Sequence, residues 1–483
     1  MQKNAFQRLA DHPRGFWFVF WGELAERASY YGMRTILAMY LFQVLRFQES
    51  TGAVVGQLFT ASCYIAPLLG GYLADRWLGR YRTILYFSLP YIAGHLILGG
   101  IQQDWGMYFA LSLLAMGSGT IKPNTSTLMG AMYEEQKKSA LLTEAFSYFY
   151  AAINIGAAVS SLSLPVVRNH FAGPAHDWSR GYSVALAIPA ALMGLAFLFF
   201  AIGKRFYPKD EQRPLSESLA ERRRRPPKTA EQRRAEWRTL GRIAGIFSLI
   251  AIFWFVYDQQ SSTWIYFANK HLDLTLWNAF ALRVGSFTWT VNAFTVTPDQ
   301  IQGLNPVLIV VLTPLFNWLW GFWKRRRGGV ELPDTRKMLL GFAIVIACEA
   351  TMGVAASLAG PGKVTVWWMA VATLVITMAE LCISVVGLEF AYSEALPGTK
   401  SIVTAAFLFT VFIGDSLGAG LDRFYDNLLK PAPYFFIQTA VMIVAAVAFI
   451  FVARKFEREA AARSETALPP GGTGGGGVDS LAS

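Results

Sequence analysis

Four charged residues interrupt an otherwise apolar stretch near the start of the chain: Glu23, Glu26, Arg27 and Arg34, in Gly22-Glu23-Leu24-Ala25-Glu26-Arg27-Ala28-Ser29-Tyr30-Tyr31-Gly32-Met33-Arg34. Carboxylates beside a guanidinium can gain and lose a proton as their surroundings change. On a helix the four, with Tyr30, fall within an arc of about 100° and climb roughly 16 Å, which makes one polar stripe. Inside a bilayer each ionisable group costs roughly 2.5 to 3.5 kcal/mol on insertion scales, so such a stripe must face a cavity or a partner. A set that merely clamped two helices would need one pair. Lys122 is a fifth such residue, in Gly117-Ser118-Gly119-Thr120-Ile121-Lys122-Pro123-Asn124, where glycines permit close helix approach and the proline loosens the backbone. A membrane lysine calls for a carboxylate. Glu380, one turn before Ser384, is the distant candidate, and Asp258 is the candidate for an arginine of the first helix; snorkelling to an interface is the plainer alternative for Lys122 and Asp258. Glu349 and Glu389 also lie in apolar surroundings; Glu389 is about 180° around an ideal helix from Glu380 and reads as structural. His95 reads as a packing residue.

The elements that would hold these groups are membrane helices. The chain has 483 residues, of which 54% are hydrophobic and only 16% charged, against roughly a quarter charged in an ordinary soluble domain. Apolar windows bounded by turn signals place about twelve spanning segments, near residues 15–46, 53–76, 82–101, 106–130, 139–166, 181–204, 238–265, 300–323, 336–359, 364–396, 401–423 and 432–455. The fold class is therefore an all-α membrane protein. A polar, proline-bearing segment over residues 205–237, with the basic run Arg222 to Arg225, separates two six-helix bundles over 1–204 and 238–455. Residues 456–483 read as a disordered tail that ends in a glycine-rich run.

The net charge of +11 comes from short basic tracts between apolar segments, so nucleic acid is not expected as a partner. By the positive-inside rule those tracts put both termini on the cytoplasmic side of an inner (plasma) membrane. The polar start, Met1 to Arg14, has no small-residue cleavage site, so no removable signal peptide is expected. Cys63, Cys348 and Cys382 sit in separate apolar runs and make neither a disulfide framework nor a metal site. No phosphate loop and no nucleophile beside a base is present, so no enzyme activity and no cofactor are expected. With no nucleotide motif, the proton gradient is the remaining energy source.

Several motifs together resemble the proton-coupled oligopeptide transporters, a branch of the major facilitator superfamily. Glu23-x-x-Glu26-Arg27 followed by Tyr30-Tyr31-Gly32 is similar to that family's first-helix signature, and Gly70-Gly71-Tyr72-Leu73-Ala74-Asp75-Arg76 with Gly79-Arg80 to the superfamily's loop after the second helix. Phe149-Tyr150-Ala151-Ala152-Ile153-Asn154-Ile155-Gly156 is similar to the fifth-helix signature and Asn305-Pro306 to the start of helix eight. Gly387-Leu388-Glu389-Phe390, Leu396-Pro397 and Lys400-Ser401 resemble the end of helix ten.

The resemblance implies the major facilitator fold, alternating access, and import of di- and tripeptides with protons by a monomer in a lipid bilayer. It implies proton coupling at Glu23, Glu26 and Arg27, a cytoplasmic gate pair Lys122 with Glu380, and an outer pair Arg34 with Asp258. Tyr31, Tyr64, Asn154, Asn305, Glu380 and Ser384 would line the peptide site, with Arg34 and Lys122 facing the carboxylate and Glu380 the amino group. The sequence departs from the pattern at Asp258-Gln259-Gln260-Ser261-Ser262, a shorter acid without the usual glycine, at Phe407 for tryptophan and at Val385 for proline. Residues 205–237 leave no room for the extra helix pair of many bacterial members. The same fold carrying nitrate, an amino acid or another organic anion, or a receptor that moves nothing, stays open.

Overall fold

The computed structural model describes residue 9 and residues 11–208, 229–284, 287–394 and 400–467. The basic run Arg222 to Arg225, Leu396-Pro397, the tail from 468 onward and the side chains of Asp75, Arg76, Lys400 and Ser401 lie outside the described residues. The first half contains α1 (Arg14–Gln43), α2 (Glu49–Leu73), α3 (Arg80–Gly100), α4 (Asp104–Glu135), α5 (Leu142–Ala172) and α6 (Trp178–Gly203). The second contains α7 (Ala230–Tyr257), α8 (Thr263–His271), α9 (Leu304–Arg326), α10 (Asp334–Ala359), α11 (Trp367–Glu380), α12 (Val386–Glu394), α13 (Lys400–Asp422) and α14 (Pro431–Ala467).

Two pairs of these helices are broken rods. A 3-10 turn over Asp258–Ser261 joins α7 to α8, and a π turn over Leu381–Val385 joins α11 to α12. Counted as rods, the described helices number twelve, six in each half. Among the described residues, ten spans are long and apolar enough to cross a membrane; α1 and α4, which carry the polar stripe and Lys122, are not among them. Most of α1 is buried, because the neighbouring helices enclose it. Large apolar side chains such as Trp105, Phe109, Val166, Leu198, Val311 and Phe451 are exposed on the outside, as a lipid-facing circumference requires.

Two boundaries differ from the sequence expectation. The helix of the second half begins at Ala230, inside the segment expected to be linker, and α14 continues to Ala467, into the expected tail. In both places the amphiphilic runs Glu231 to Arg238 and Arg454 to Glu465 are good helix formers that need no apolar surroundings, so hydropathy does not mark their ends. The all-α expectation also misses a small β excursion between α8 and α9. β1 (Leu272–Asp273) pairs in parallel with β6 (Val364–Thr365), and β2 (Thr275–Trp277) pairs with β5 (Phe294–Thr295). β3 (Phe280–Val284) and β4 (Phe287–Val291) form an antiparallel hairpin with Phe280 opposite Val291.

The halves meet along α2 with α13 and along α5 with α9, while α1 packs on α5 and α6. Gly156 in the Phe149-to-Gly156 motif is what lets α5 reach α1, since a Cβ there would come within 2.7 Å of the Leu24 carbonyl oxygen and 3.1 Å of the Ala28 amide nitrogen. Both obstacles are backbone, so neither can rotate away. Gly156→Val should therefore destabilise the protein by about 1 to 3 kcal/mol, seen as a lower thermal-unfolding midpoint in detergent; an unchanged midpoint would show that α5 has slack against α1.

Candidate functional site

Helix periodicity sets Glu23 and Arg27 one turn apart on α1, and the structure closes the pair: Arg27 Nε donates to Glu23 Oε1 at 2.7 Å. The same nitrogen lies 2.9 Å from Glu26 Oε2. All three side chains are at most 2% exposed, so water cannot complete their shells. Glu23 Oε2 and Arg27 Nη2 are left without a hydrogen bond. Two carboxylates thus share one guanidinium in a dry place. Lys122 of α4 lies within electrostatic reach of Arg27 and Glu26, and its charge balances the set.

Lys122 itself makes no ion pair among the described residues. Its ammonium donates to the Tyr64 hydroxyl at 3.2 Å and sits 4.3 Å above the Tyr64 ring. A cation over an aromatic face keeps part of its solvation without being neutralised, which leaves the lysine available to an incoming anion. Across the middle of the molecule, Glu380 ends α11 immediately before the π turn and accepts from Tyr257 Oη at 2.7 Å and Asn305 Nδ2 at 3.1 Å. Asn305 also donates to Thr377 Oγ1 at 3.0 Å, which fixes its amide. Lys122 and Glu380, expected as a pair, are not joined in this structure: each is held by neutral neighbours of its own half. Ser384 is half-buried in the π turn, where the widened backbone turns it from the regular helix face.

Tyr31 stands between the two sets, within electrostatic reach of Lys122 and Arg27 on one side and of Tyr257 on the other. Tyr150, exposed and near Glu380, continues this wall, and Asn154 is buried with its amide donating to the Tyr150 carbonyl at 2.9 Å. Lys122, Tyr64, Tyr31, Tyr150, Asn305 and Glu380 therefore belong to one neighbourhood. Asn154 touches it at Tyr150, through that residue's carbonyl and its side chain. Glu389 is exposed and apart from it, and Val385 is exposed too. Phe407 is buried against Phe247 and over Gly387, filling a packing position.

The polar bridges between the halves, among the described residues, cluster at the end where α1 finishes and α2 begins. Arg34 Nη2 donates to Asp258 Oδ1 and, at 2.9 Å, to Ser261 Oγ. The 3-10 turn draws Asp258 and Ser261 toward the same guanidinium. Arg168 of α5 pairs with Asp299 and also donates to Tyr182 Oη at 3.2 Å, which in turn donates to Gln43 Oε1 at 2.8 Å. Tyr266 Oη donates to the Ala38 carbonyl, Gln302 Nε2 to that of Thr35 and Gln300 Nε2 to that of Leu162, each at 3.0 Å. Lys270 lies 3.7 Å from Glu49. The structure is thus tied shut at one end.

Sequence reasoning did not find Arg168 and Asp299, which sit at segment ends where charge is common. Nor did it find Tyr257, Gln259, Asp415 and Asp422. Asp415, in Ile413-Gly414-Asp415, stands within an expected span and carried the signal that marked Glu380. Gln259 and Tyr434 donate to Asp422 Oδ1 at 2.9 and 2.6 Å, which leaves its Oδ2 buried without a partner.

The model of the POT family matches residues 81–219 and 216–431, most of the chain and both halves of this arrangement. The chain belongs to the POT family. Among its relatives in that family, solute carrier family 15 member 2 of Mus musculus is 32% identical over 374 residues, which cover 71% of this chain and 48% of that protein. Peptide transporter family 1 of Drosophila melanogaster is 32% identical over 390 residues, covering 72% and 49%. The chain spans about half the length of the curated relatives it matches. The crystal structure of the POT family transporter PepTSo is similar over 93% of this chain and 99% of its own, with a TM-score of 0.76 and 27% identity. That likeness extends the major facilitator fold of transporters to this chain.

Truncating one partner of a buried ion pair strands the other, at about 3 to 5 kcal/mol. Asp258→Asn should therefore favour opening of the tied end. A cysteine at Ala38, beneath Tyr266, should be modified by a membrane-impermeant thiol reagent at least about tenfold faster in that variant; equal rates would mean that Arg34 and Asp258 do not hold this end closed.

Proposed function

We propose that this chain is a proton-coupled symporter that imports di- and tripeptides by alternating access. It acts as a monomer in an inner (plasma) membrane, with both termini in the cytoplasm. The tied end is then the outer one, and the conformation faces inward. The carrying observation is the opposition of an uncommitted Lys122 on the first half to Glu380 on the second, across the tyrosine wall of Tyr31, Tyr64 and Tyr150. A zwitterionic peptide offers a carboxylate to the lysine and an ammonium to the glutamate, and the tyrosines present apolar faces with polar tips to varied side chains. Arg34 is engaged by Asp258 here, so in this conformation Lys122 alone meets the carboxylate. Peptide transporters among the relatives support the substrate class.

The proton follows from the charge balance on α1. While Lys122 balances Glu23, Glu26 and Arg27, the set is neutral with both glutamates ionised. Once the lysine is committed to a peptide carboxylate or to Glu380, the α1 set is one positive charge short, and a proton on Glu23 or Glu26 makes up the difference. Binding of peptide and of proton are thereby linked through one ammonium. A membrane potential supplies about 2.3 kcal/mol per 100 mV and a pH difference about 1.4 kcal/mol per unit, enough for uphill uptake.

Proteoliposomes with an acidified exterior should accumulate labelled dialanine, with unlabelled dipeptides competing and amino acids and nitrate failing to compete. Competition by nitrate or a single amino acid in place of dipeptides would reassign the cargo, and absence of any flux would favour a receptor. Glu23→Gln and Glu26→Gln should each abolish proton-driven accumulation while sparing dialanine counterflow; full accumulation in both variants would remove proton coupling from α1.

A further inference from the structure

The outer gate contains a second carboxylate that peptide transport as described leaves unused. Gly414 brings α13 against α7 so closely that a Cβ there would lie 2.5 Å from the Ala251 carbonyl oxygen, and the next residue, Asp415, is carried toward the Asp258–Ser261 turn. Asp415 is 0% exposed, and neither of its carboxylate oxygens has a hydrogen-bond partner. The groups facing it are Asp258 from the 3-10 turn, Arg34 from α1, Cys63 and Tyr64 from α2, and Asp422 from two turns further along α13. Arg34 is already committed to Asp258 and Ser261, and Asp422 to Gln259 and Tyr434. Among the described residues, one guanidinium therefore faces both Asp258 and Asp415, with no second cation beside them and Asp422 as a further carboxylate.

An ionised carboxylate withdrawn from water with no partner costs several kcal/mol. Opening of the outer end would readmit water and remove that cost; closing restores it. We propose that Asp415 is a proton-binding site of the outer gate, holding a proton whenever the outer end is closed, so that closure takes up a proton and an acidic exterior favours it. This rests on the transport reading for its consequence, since an acid exterior would then close the gate behind captured cargo. The site is separate from Glu23 and Glu26 and belongs to the neighbourhood of Arg34.

The test needs no substrate. Spin labels on cysteines replacing Asp104 and Lys363, exposed residues at the outer ends of opposite halves, report the width of that end in a chain whose three native cysteines are alanine. In lipid nanodiscs without peptide, the short-distance population should grow as pH falls. Asp415→Asn, which mimics the protonated side chain, should hold the short distance to a higher pH, moving the midpoint by more than about one unit. Asp415→Glu should stay responsive with a displaced midpoint, and it serves as the reporter should the asparagine variant not fold. A midpoint unchanged in either folded variant, or a parent protein whose outer end ignores pH, overturns the proposal. Failure of dialanine uptake alone would overturn the peptide reading and leave this result standing.

Discussion

One guanidinium shared by two carboxylates, out of reach of water, is the constraint from which the rest of this molecule follows. Arg27 stands so between Glu23 and Glu26, with Nε at 2.7 and 2.9 Å. In lipid an odd charge has nowhere to go. Lys122, resting on the Tyr64 ring, is a second cation within electrostatic reach of the array. A lysine held by a carboxylate would be locked, whereas one held by a phenol and a π face is stabilised enough to stay buried and loosely enough to leave. The polar stripe and the lysine are therefore one device on two helices, and the other rods enclose them.

The breaks in the rods serve the same end on the other half. A regular helix through residues 258–262 would point Asp258 and Ser261 about 300° apart, equivalent to 60°; the 3-10 turn tightens that arc, and both reach Arg34 Nη2. The shorter acid that departs from the family pattern is served by this turn, which supplies reach that its side chain lacks. The π turn after Glu380 does the opposite, widening the backbone so that α12 emerges with Glu389 exposed and away from the central neighbourhood. Both interruptions sit beside buried charge, where freed backbone groups find polar company.

What the sequence discloses is what periodicity and lipid cost dictate. The stripe on α1 is legible because four charges within one arc of a buried helix admit few explanations; charge pairing points Asp258 to an arginine of that helix, and the family resemblance is what singles out Arg34. The separation of Lys122 from Glu380 is not legible, because pairing rules are silent about which conformation the halves adopt. Arg168 and Asp299 escape notice because each sits at a segment end, where charge normally meets water; only the fold shows that both ends are covered. Asp415 was legible by the argument applied to Glu380, but one acid in an apolar run names no partner. The β excursion at 272–295 falls between apolar windows and leaves no signal in them.

The choice of charges to close the tied end has an energetic reason. An apolar seam of the size made by α2 and α13 gains steadily as area is buried and would not part readily once formed. A buried ion pair behaves otherwise: its Coulomb attraction is largely offset by the desolvation of both partners, so the closed pair and the two hydrated ions differ by little. Ion pairs of this kind hold the halves in register when shut and release them at small cost when water returns, which keeps the two conformations within the few kcal/mol that a bound ligand can tip. The same offset disappears if one partner is lost or one charge is left over. The surplus carboxylate at Asp415 therefore weighs on the gate far more than its single charge would at a surface, and the conformational equilibrium is most sensitive at the place where the charges fail to balance.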